Sequence, residues 1–312
     1  MTADLAAPLG QLEGNEHTRI AVHQVPDLAW VEAHLPQLQT HLRDHGAILL
    51  RGLPVDLDLF NQVTETIGGA LLTYTERSTP RSAVAGNIYT STEYPPAESI
   101  PMHNENSYSA HWPARLFFLC DTPAATGGAT PIADSRAMFR LLPQDLRDRF
   151  SGGVVYTRAF REGLGLTWQE AFQTDDRAVV EEYCARNGQT LEWTDEGLRT
   201  RHVRPSFVDE PHTGETVWFN QANLFHVSSL GEEVSEALLE LYPEADLPRN
   251  AYFADGSPIP VADLEKIREI YDEVSYAFPW QAGDVMVVNN MLAAHGREPF
   301  TGKRRILVAM TG

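Results

Sequence analysis

Cysteine and positive charge are both scarce in this chain. Of 312 residues only two are cysteines, Cys120 in the apolar run RLFFLC and Cys184 in the polar run EEYCARNG. Such unlike settings argue against a disulfide framework, and both are expected as thiols in a reducing, cytoplasmic compartment. Lysine and arginine total 24 against 43 acidic residues, a net charge of −19. A surface of that sign repels nucleic acid and anionic membranes, so neither is expected as a partner. It selects no substrate, because acidic surfaces also serve solubility alone. No apolar run reaches the length of a membrane span. The opening MTADLAAPLGQLEGNEH has no basic residue before Arg19, so neither a signal peptide nor a transit peptide is expected. Also missing are a Gly-rich phosphate loop, a βαβα alternation, an internal repeat and a low-complexity tract, which argues against a doubly wound sheet.

What is present reads as one domain over 1–312, with no linker to divide it. LAWVEAHLPQLQTHLRDHG has apolar residues at near-helical spacing and stops at Gly46, and LDLFNQVTETIGG reads as a second helix ending at glycines. Between them GAILLRGL is a short continuous apolar run, the pattern of a strand buried on both faces. The first 70 residues therefore read as helical decoration around one strand. From Tyr74 to Pro101 the chain is polar and turn-rich, and a long irregular stretch in a compact domain is functional or disordered. Strands are expected at 115–123, in GVVYTRAF, ETVWFNQ, GDVMVVNN and RRILVAM. Helices are expected at 135–150, in TWQEAFQT and DRAVVEEYCARNG, and near VADLEKIREIYDEV, with a helical insertion around 140–200. Strands separated by Gly- and Pro-rich turns, with helices gathered into insertions, suit a mainly β protein with appended helices, a jelly-roll double sheet.

The motif that carries chemistry is His103-Asn104-Glu105. In an extended segment side chains two apart share a face, so His103 and Glu105 reach one point while Asn104 turns away. Two imidazoles and one carboxylate form a set that holds Fe(II) on one face and leaves positions open. His295, in the turn AAHGREPF after GDVMVVNN, is the candidate third ligand. Eleven histidines and 43 acidic residues give about 1.5 chance His-x-Asp/Glu matches, so the motif needs support from elsewhere. Arg304 and Arg305 open the strand RRILVAM, and a planar guanidinium suits a carboxylate held bidentately in a pocket. Alternation puts Arg304, Ile306, Val308 and Met310 on one face and Arg305, Leu307 and Ala309 on the other, so only one of the two arginines faces inward. In GGAT two glycines permit close backbone approach, and the Thr130 hydroxyl can donate to a bound carboxylate. TERSTPR at 75–81, Asn106-Ser107-Tyr108 and Asn220 are candidates for a substrate pocket, because irregular segments beside a metal motif concentrate binding residues.

IPMHNENSY, WPARLFFLCDTPAATGGATPIADSR and HGREPFTGKRRILVAM, in that order, resemble the taurine-dioxygenase-like (TauD/TfdA) family of Fe(II)- and 2-oxoglutarate-dependent oxygenases. The wording HNE-x-SY, GG-x-TPIADSR and HGR-x-PF-x-G is similar to its SyrP-like branch, associated with amino-acid tailoring in natural-product pathways such as antibiotic biosynthesis. The resemblance covers about Gly46–Ser135 and Glu215–Met310. It implies a double-stranded β-helix, Fe(II) held by His103, Glu105 and His295, and 2-oxoglutarate and O2 as cosubstrates. It further implies that the distal carboxylate of 2-oxoglutarate meets Thr130 and Arg304, with Arg304 preferred over Arg305 because the pattern Gly-x-Arg places the anchor first. Family halogenases carry a small residue in place of the carboxylate ligand, so an intact Glu105 implies oxygenation; hydroxylation, desaturation and epoxidation all use this ligand set. Several relatives have a second arginine four residues after the anchor, where this chain has Val308, so an anionic substrate group is not expected to be held from that strand. The implied substrate is an amino acid or aminoacyl intermediate, free or carrier-protein-bound. A non-catalytic jelly-roll binding protein is the competing class.

Overall fold

The computed structural model describes residues 10–72, 83–91 and 94–312. Its frame is an eight-stranded sheet in the order Gln11–Gly14, Arg19–Gln24, Ala47–Arg51, Val285–Asn289, Arg115–Thr122, Arg305–Thr311, Ile88–Thr90 and Ala83–Ala85. The central strands are drawn from both ends of the sequence. Val287 lies opposite Ile48 on one side and Phe117 on the other.

Period-2 alternation explains why these strands are apolar throughout. Leu116, Phe118, Cys120, Met286, Val288, Ile306, Val308 and Met310 belong to one buried cluster. Phe117, Leu119, Val285, Val287, Leu307 and Ala309 belong to another, which also takes in Val31, Leu38, Leu42, Phe60, Val63 and Ile67 from three helices. One face of the sheet therefore lines the interior and the other is roofed by helices. Each fully buried Phe, Leu or Ile contributes about 1.5–3 kcal/mol of transfer free energy.

Those helices follow the expected sequence but break once. Leu28–Ala33 and Leu35–His45 are separated at His34 because Pro36, in the first turn of the second helix, has no N–H for a continuous ladder. The second helix ends on Gly46 at φ 72°, a left-handed cap that only glycine adopts without strain. Leu57–Gly68 starts on Asp56, whose carboxylate accepts from the Leu59 N–H. The opening of the chain holds more strand than expected: Gln11–Gly14 and Arg19–Gln24 join the sheet, and Arg19–Gln24 runs parallel to Ala47–Arg51. The two helices between them make this the one parallel crossover among the described residues. Its first strand escapes detection because RIAVHQ is short and flanked by polar residues.

A smaller sheet of Ile100–His103, Ala293–Arg297 and Ile132–Asp134 supplies the opposing wall. A further four-stranded sheet contains Thr190–Thr194, Gly197–Arg204, Val154–Arg161 and Asn250–Phe253. Residues 140–200 thus hold helices at Gln144–Phe150, Trp168–Phe172 and Arg177–Arg186 together with strands of this sheet. Helix Val261–Val274 packs its Leu264, Ile267, Ile270 and Tyr271 into the cluster beneath. The architecture is mainly β with appended helices, as the sequence implied. Cys120 and Cys184 are both buried and form no disulfide. No helix among the described residues is long and apolar enough to cross a membrane.

Candidate metal centre and its pocket

His103 ends the strand Ile100–His103, and His295 lies directly opposite it in the register with Ala293–Arg297. His295 is therefore a strand residue, not the turn residue its sequence setting suggested. The glycine after it is what hides the strand. A Cβ on Gly296 would come within 2.8 Å of the Ile100 carbonyl oxygen and of Met102 Sδ, so glycine is required for the strands to approach.

Glu105 follows in a turn whose next residue, Asn106, has φ 55°. The carboxylate is swung back by that turn, beyond the end of the strand. His103 Nε2 stands 3.8 Å and His295 Nε2 3.9 Å from Glu105 Oε2. All three donor atoms lie within 4.8 Å of one another, and among the described residues no other group of three His, Cys, Asp or Glu meets that spacing. Glu105 is 4% and His295 6% exposed. Two imidazole nitrogens and one carboxylate oxygen, buried and converging from one side, fit a divalent transition metal with an open face.

Neighbouring groups fix the donors. His103 Nδ1 is 2.8 Å from the Pro101 carbonyl oxygen, so that nitrogen carries the proton and Nε2 presents a lone pair. The Asn290 side chain holds the Glu105 backbone from both sides, accepting its N–H at 2.7 Å and donating to its carbonyl at 2.8 Å. The same amide also donates to the Pro113 carbonyl at 2.9 Å. Asn104 turns away as expected, donating to the Asn290 carbonyl at 2.7 Å and to Ser135 Oγ at 3.2 Å.

Beside the triad lies a pocket lined by His103, His295, Phe118, Ile100, Thr130, Arg297, Arg304, Ile306 and Val308, among others. Arg304 donates through Nε to the Gly128 carbonyl at 2.8 Å and through Nη2 to Thr130 Oγ1 at 3.3 Å. Trp280 Nε1 also donates to Thr130 Oγ1, at 3.1 Å. Having accepted twice, that hydroxyl keeps its own proton for a ligand. Gly128 sits at φ 72°, and a Cβ there would be 3.0 Å from Arg304 Cδ, so the second glycine of GGAT is what admits the arginine.

Burial first, then the charge of Arg297, pushes the Arg304 guanidinium down to about 10. Among the described residues no carboxylate pairs with it, and a buried cation in that condition is suited to meeting an anion. Arg305 is on the other face, 47% exposed in its side chain, and pairs with Asp121 at 3.2 Å.

Other candidates take structural places. Asn220 is fully buried, donating to the Ser206 carbonyl at 2.8 Å and accepting from the Ala222 N–H at 2.9 Å. Ser107 Oγ donates to the Asn104 carbonyl at 2.9 Å within the same turn. Tyr108 is buried against Phe225, ring centroids 4.7 Å apart. TERSTPR at 75–81 lies outside the described residues. Sequence reasoning missed Asn290, Trp280 and Arg297. Arg297 donates to the carbonyls of Tyr94, Pro95 and Glu98 and so ties the 94–98 segment to the pocket wall. Asn290 left a readable signal, a polar residue closing the apolar run GDVMVVNN, and Arg297 is the arginine of the HGR-x-PF-x-G wording, which gives it no role.

Comparison with known proteins gives a family match over nearly the whole chain. The taurine catabolism dioxygenase TauD, TfdA family matches residues 6–311. Dapdiamide synthesis protein DdaC of Enterobacter agglomerans is 37% identical over 304 residues, 96% of this chain and 92% of that protein. A clavaminate synthase-like protein of Arabidopsis thaliana is 31% identical over 287 residues, 88% of this chain and 83% of that protein. Among solved structures, PvcB of Pseudomonas aeruginosa superposes with a TM-score of 0.57 at 16% identity, covering 99% of this chain and 94% of that one; it shares the fold.

Proposed function

Because the chain belongs to the taurine catabolism dioxygenase TauD, TfdA family, we propose that His103, Glu105 and His295 are the protein ligands of a single Fe(II), and that Arg304 and Thr130 take the distal carboxylate of 2-oxoglutarate. The protein is an Fe(II)- and 2-oxoglutarate-dependent dioxygenase. Bound there, iron supplies the redox chemistry that joins O2 and 2-oxoglutarate to oxidation of an organic substrate.

The chain's own groups bind, orient and exclude water. The Pro101 carbonyl fixes the His103 tautomer, and Asn290 fixes the backbone from which Glu105 projects. Gly128 and Thr130 aim the Arg304 fork, so little side-chain entropy is lost when a carboxylate docks. Phe118, Ile100, Ile306 and Val308 line the pocket. Their low polarity strengthens the charge-assisted contact to Arg304 and keeps bulk water from the reacting face.

We assign hydroxylation of an amino acid or aminoacyl group, free or carrier-bound, in natural-product biosynthesis. The likeness to a dapdiamide synthesis protein supports the pathway class, and the intact Glu105 supports oxygenation. We further read 1–312 as one oxygenase domain working in the cytoplasm. The single observation that carries the site is the convergence of His103, Glu105 and His295 beside a buried guanidinium that no carboxylate among the described residues neutralises. Anaerobic protein with Fe(II) and 2-oxoglutarate is expected to show a weak visible metal-to-ligand charge-transfer band, absent in His103→Ala and weakened in Arg304→Ala. No band at saturating 2-oxoglutarate refutes the assignment.

A further inference from the structure

A second pair of arginines lies inside the fold, apart from Arg304. The ladder between Val154–Arg161 and Asn250–Phe253 ends with Thr157 opposite Asn250. One step further in an antiparallel register sets Arg158 against Arg249. Like charges facing each other across strands are destabilising, and here one is buried and the other half-buried. Arg158 is 5% exposed. Arg249 is half-buried, and burial, with Arg158 contributing, lowers its affinity for its proton. Among the described residues Arg249 makes no hydrogen bond or ion pair. Its one contact of note is with the Phe225 ring, 5.7 Å from the guanidinium carbon.

This pair stands next to the metal motif. Arg158 Cζ lies 5.9 Å from the Tyr108 ring, and Tyr108 packs on Phe225 at 4.7 Å, so the two guanidiniums flank one aromatic pair. Tyr108 belongs to the turn that begins at Glu105. Gln221 ties the same region together, donating from Nε2 to the Asn104 carbonyl at 2.6 Å while its N–H donates to the Tyr156 hydroxyl at 2.8 Å. Tyr156 shares the strand face of Arg158. The strand that carries Arg304 presents only Ile306 and Val308 to the pocket after it, so it offers no second cation.

We propose that Arg158 and Arg249 form a carboxylate-binding subsite for the organic substrate, distinct from the position that takes the cosubstrate. This rests on the dioxygenase reading above and narrows it to substrates with a free carboxylate. A bound carboxylate gives Arg249 the ion partner it lacks among the described residues, with Arg158 beside it, and the Tyr108–Phe225 pair supplies an apolar wall for the carbon chain.

The test uses the full-length protein, a panel of free L-amino acids and the matching α-carboxamides, with binding read by calorimetry. At least one acid is expected to bind roughly 10- to 100-fold more tightly than its carboxamide, the range of a charge-assisted hydrogen-bonded contact. If aspartate or glutamate keeps its affinity as the α-amide while asparagine and glutamine do not bind, the carboxylate recognised is the side chain's. Arg249→Gln is expected to abolish the acid preference and Arg249→Lys to restore part of it. Retention of the Fe(II)/2-oxoglutarate band in both variants checks the fold and the cosubstrate site. A panel in which no acid binds, equal binding of acids and amides at both the α and the side-chain positions, or a preference that survives Arg249→Gln overturns the proposal. A missing band in the wild type with the acid preference intact overturns the dioxygenase reading instead and leaves the subsite standing.

Discussion

Replacing Asn290 with alanine tests whether the metal site is held by groups that never touch the metal. The Asn290 side chain makes three hydrogen bonds, accepting from the Glu105 N–H and donating to the Glu105 and Pro113 carbonyls, and it is fully buried. Alanine removes all three and orphans one donor and two acceptors. At about 1 kcal/mol of net stabilisation per bond the loss is about 3 kcal/mol, rising towards about 6 kcal/mol if no water re-satisfies the orphaned groups. The more specific effect is on geometry. Glu105 sits in a turn with a left-handed residue after it, so its direction depends on the clamp. Loss of a group that orients a ligand typically weakens metal affinity about 10- to 100-fold. Urea unfolding of the metal-free protein separates the first effect from the second, and Fe(II) titration in the presence of 2-oxoglutarate measures the second. Fe(II) affinity within about twofold of wild type, whatever the stability, would show that Glu105 is aimed by its own turn and not by Asn290.

The two neighbouring arginines should behave oppositely. Arg304→Lys loses the planar fork that Gly128 and Thr130 aim, and KM for 2-oxoglutarate is expected to rise about 10- to 100-fold; Arg305→Ala breaks only an exposed pair with Asp121, worth about 0–1 kcal/mol of stability, and should leave KM unchanged. Equal effects in steady-state assays would refute the assignment of faces. Acid stability offers a further check. Burial lowers His23, beside His41, and His226, beside Arg268, from the ordinary 6.5 to about 4. The unfolded chain therefore takes up protons that the folded protein refuses, and stability should fall as pH drops from about 6.5 to about 4 and level off below that. Urea midpoints measured across that window should flatten for His226→Gln; a slope identical to wild type would show that His226 is not among the groups responsible.

The difference between what was legible and what was not follows from how far along the chain each partner lies. Contiguous signals survive in sequence: the apolar run GAILLRGL, the cap at Gly46, the spacing of His103 and Glu105. Alternation in RRILVAM also shows that only one of two adjacent arginines faces inward, and Arg304 lines the pocket. The partner of each strand is not legible in the same way. His295 reads as a turn residue because Gly296 follows it, and a glycine demanded by close strand approach looks the same in sequence as one demanded by a turn. Asn290 and Glu105 are joined by hydrogen bonds across the fold, and Arg158 and Arg249 face each other only because Thr157 pairs with Asn250. Either arginine alone, in YTRAFR or PRNAYF, reads as an ordinary cation on or beside a strand. It is the register that turns two unremarkable residues into a facing pair of like charge. Like charges at facing positions cost stability, and under the proposed subsite an anion bound at Arg249 would offset part of that cost.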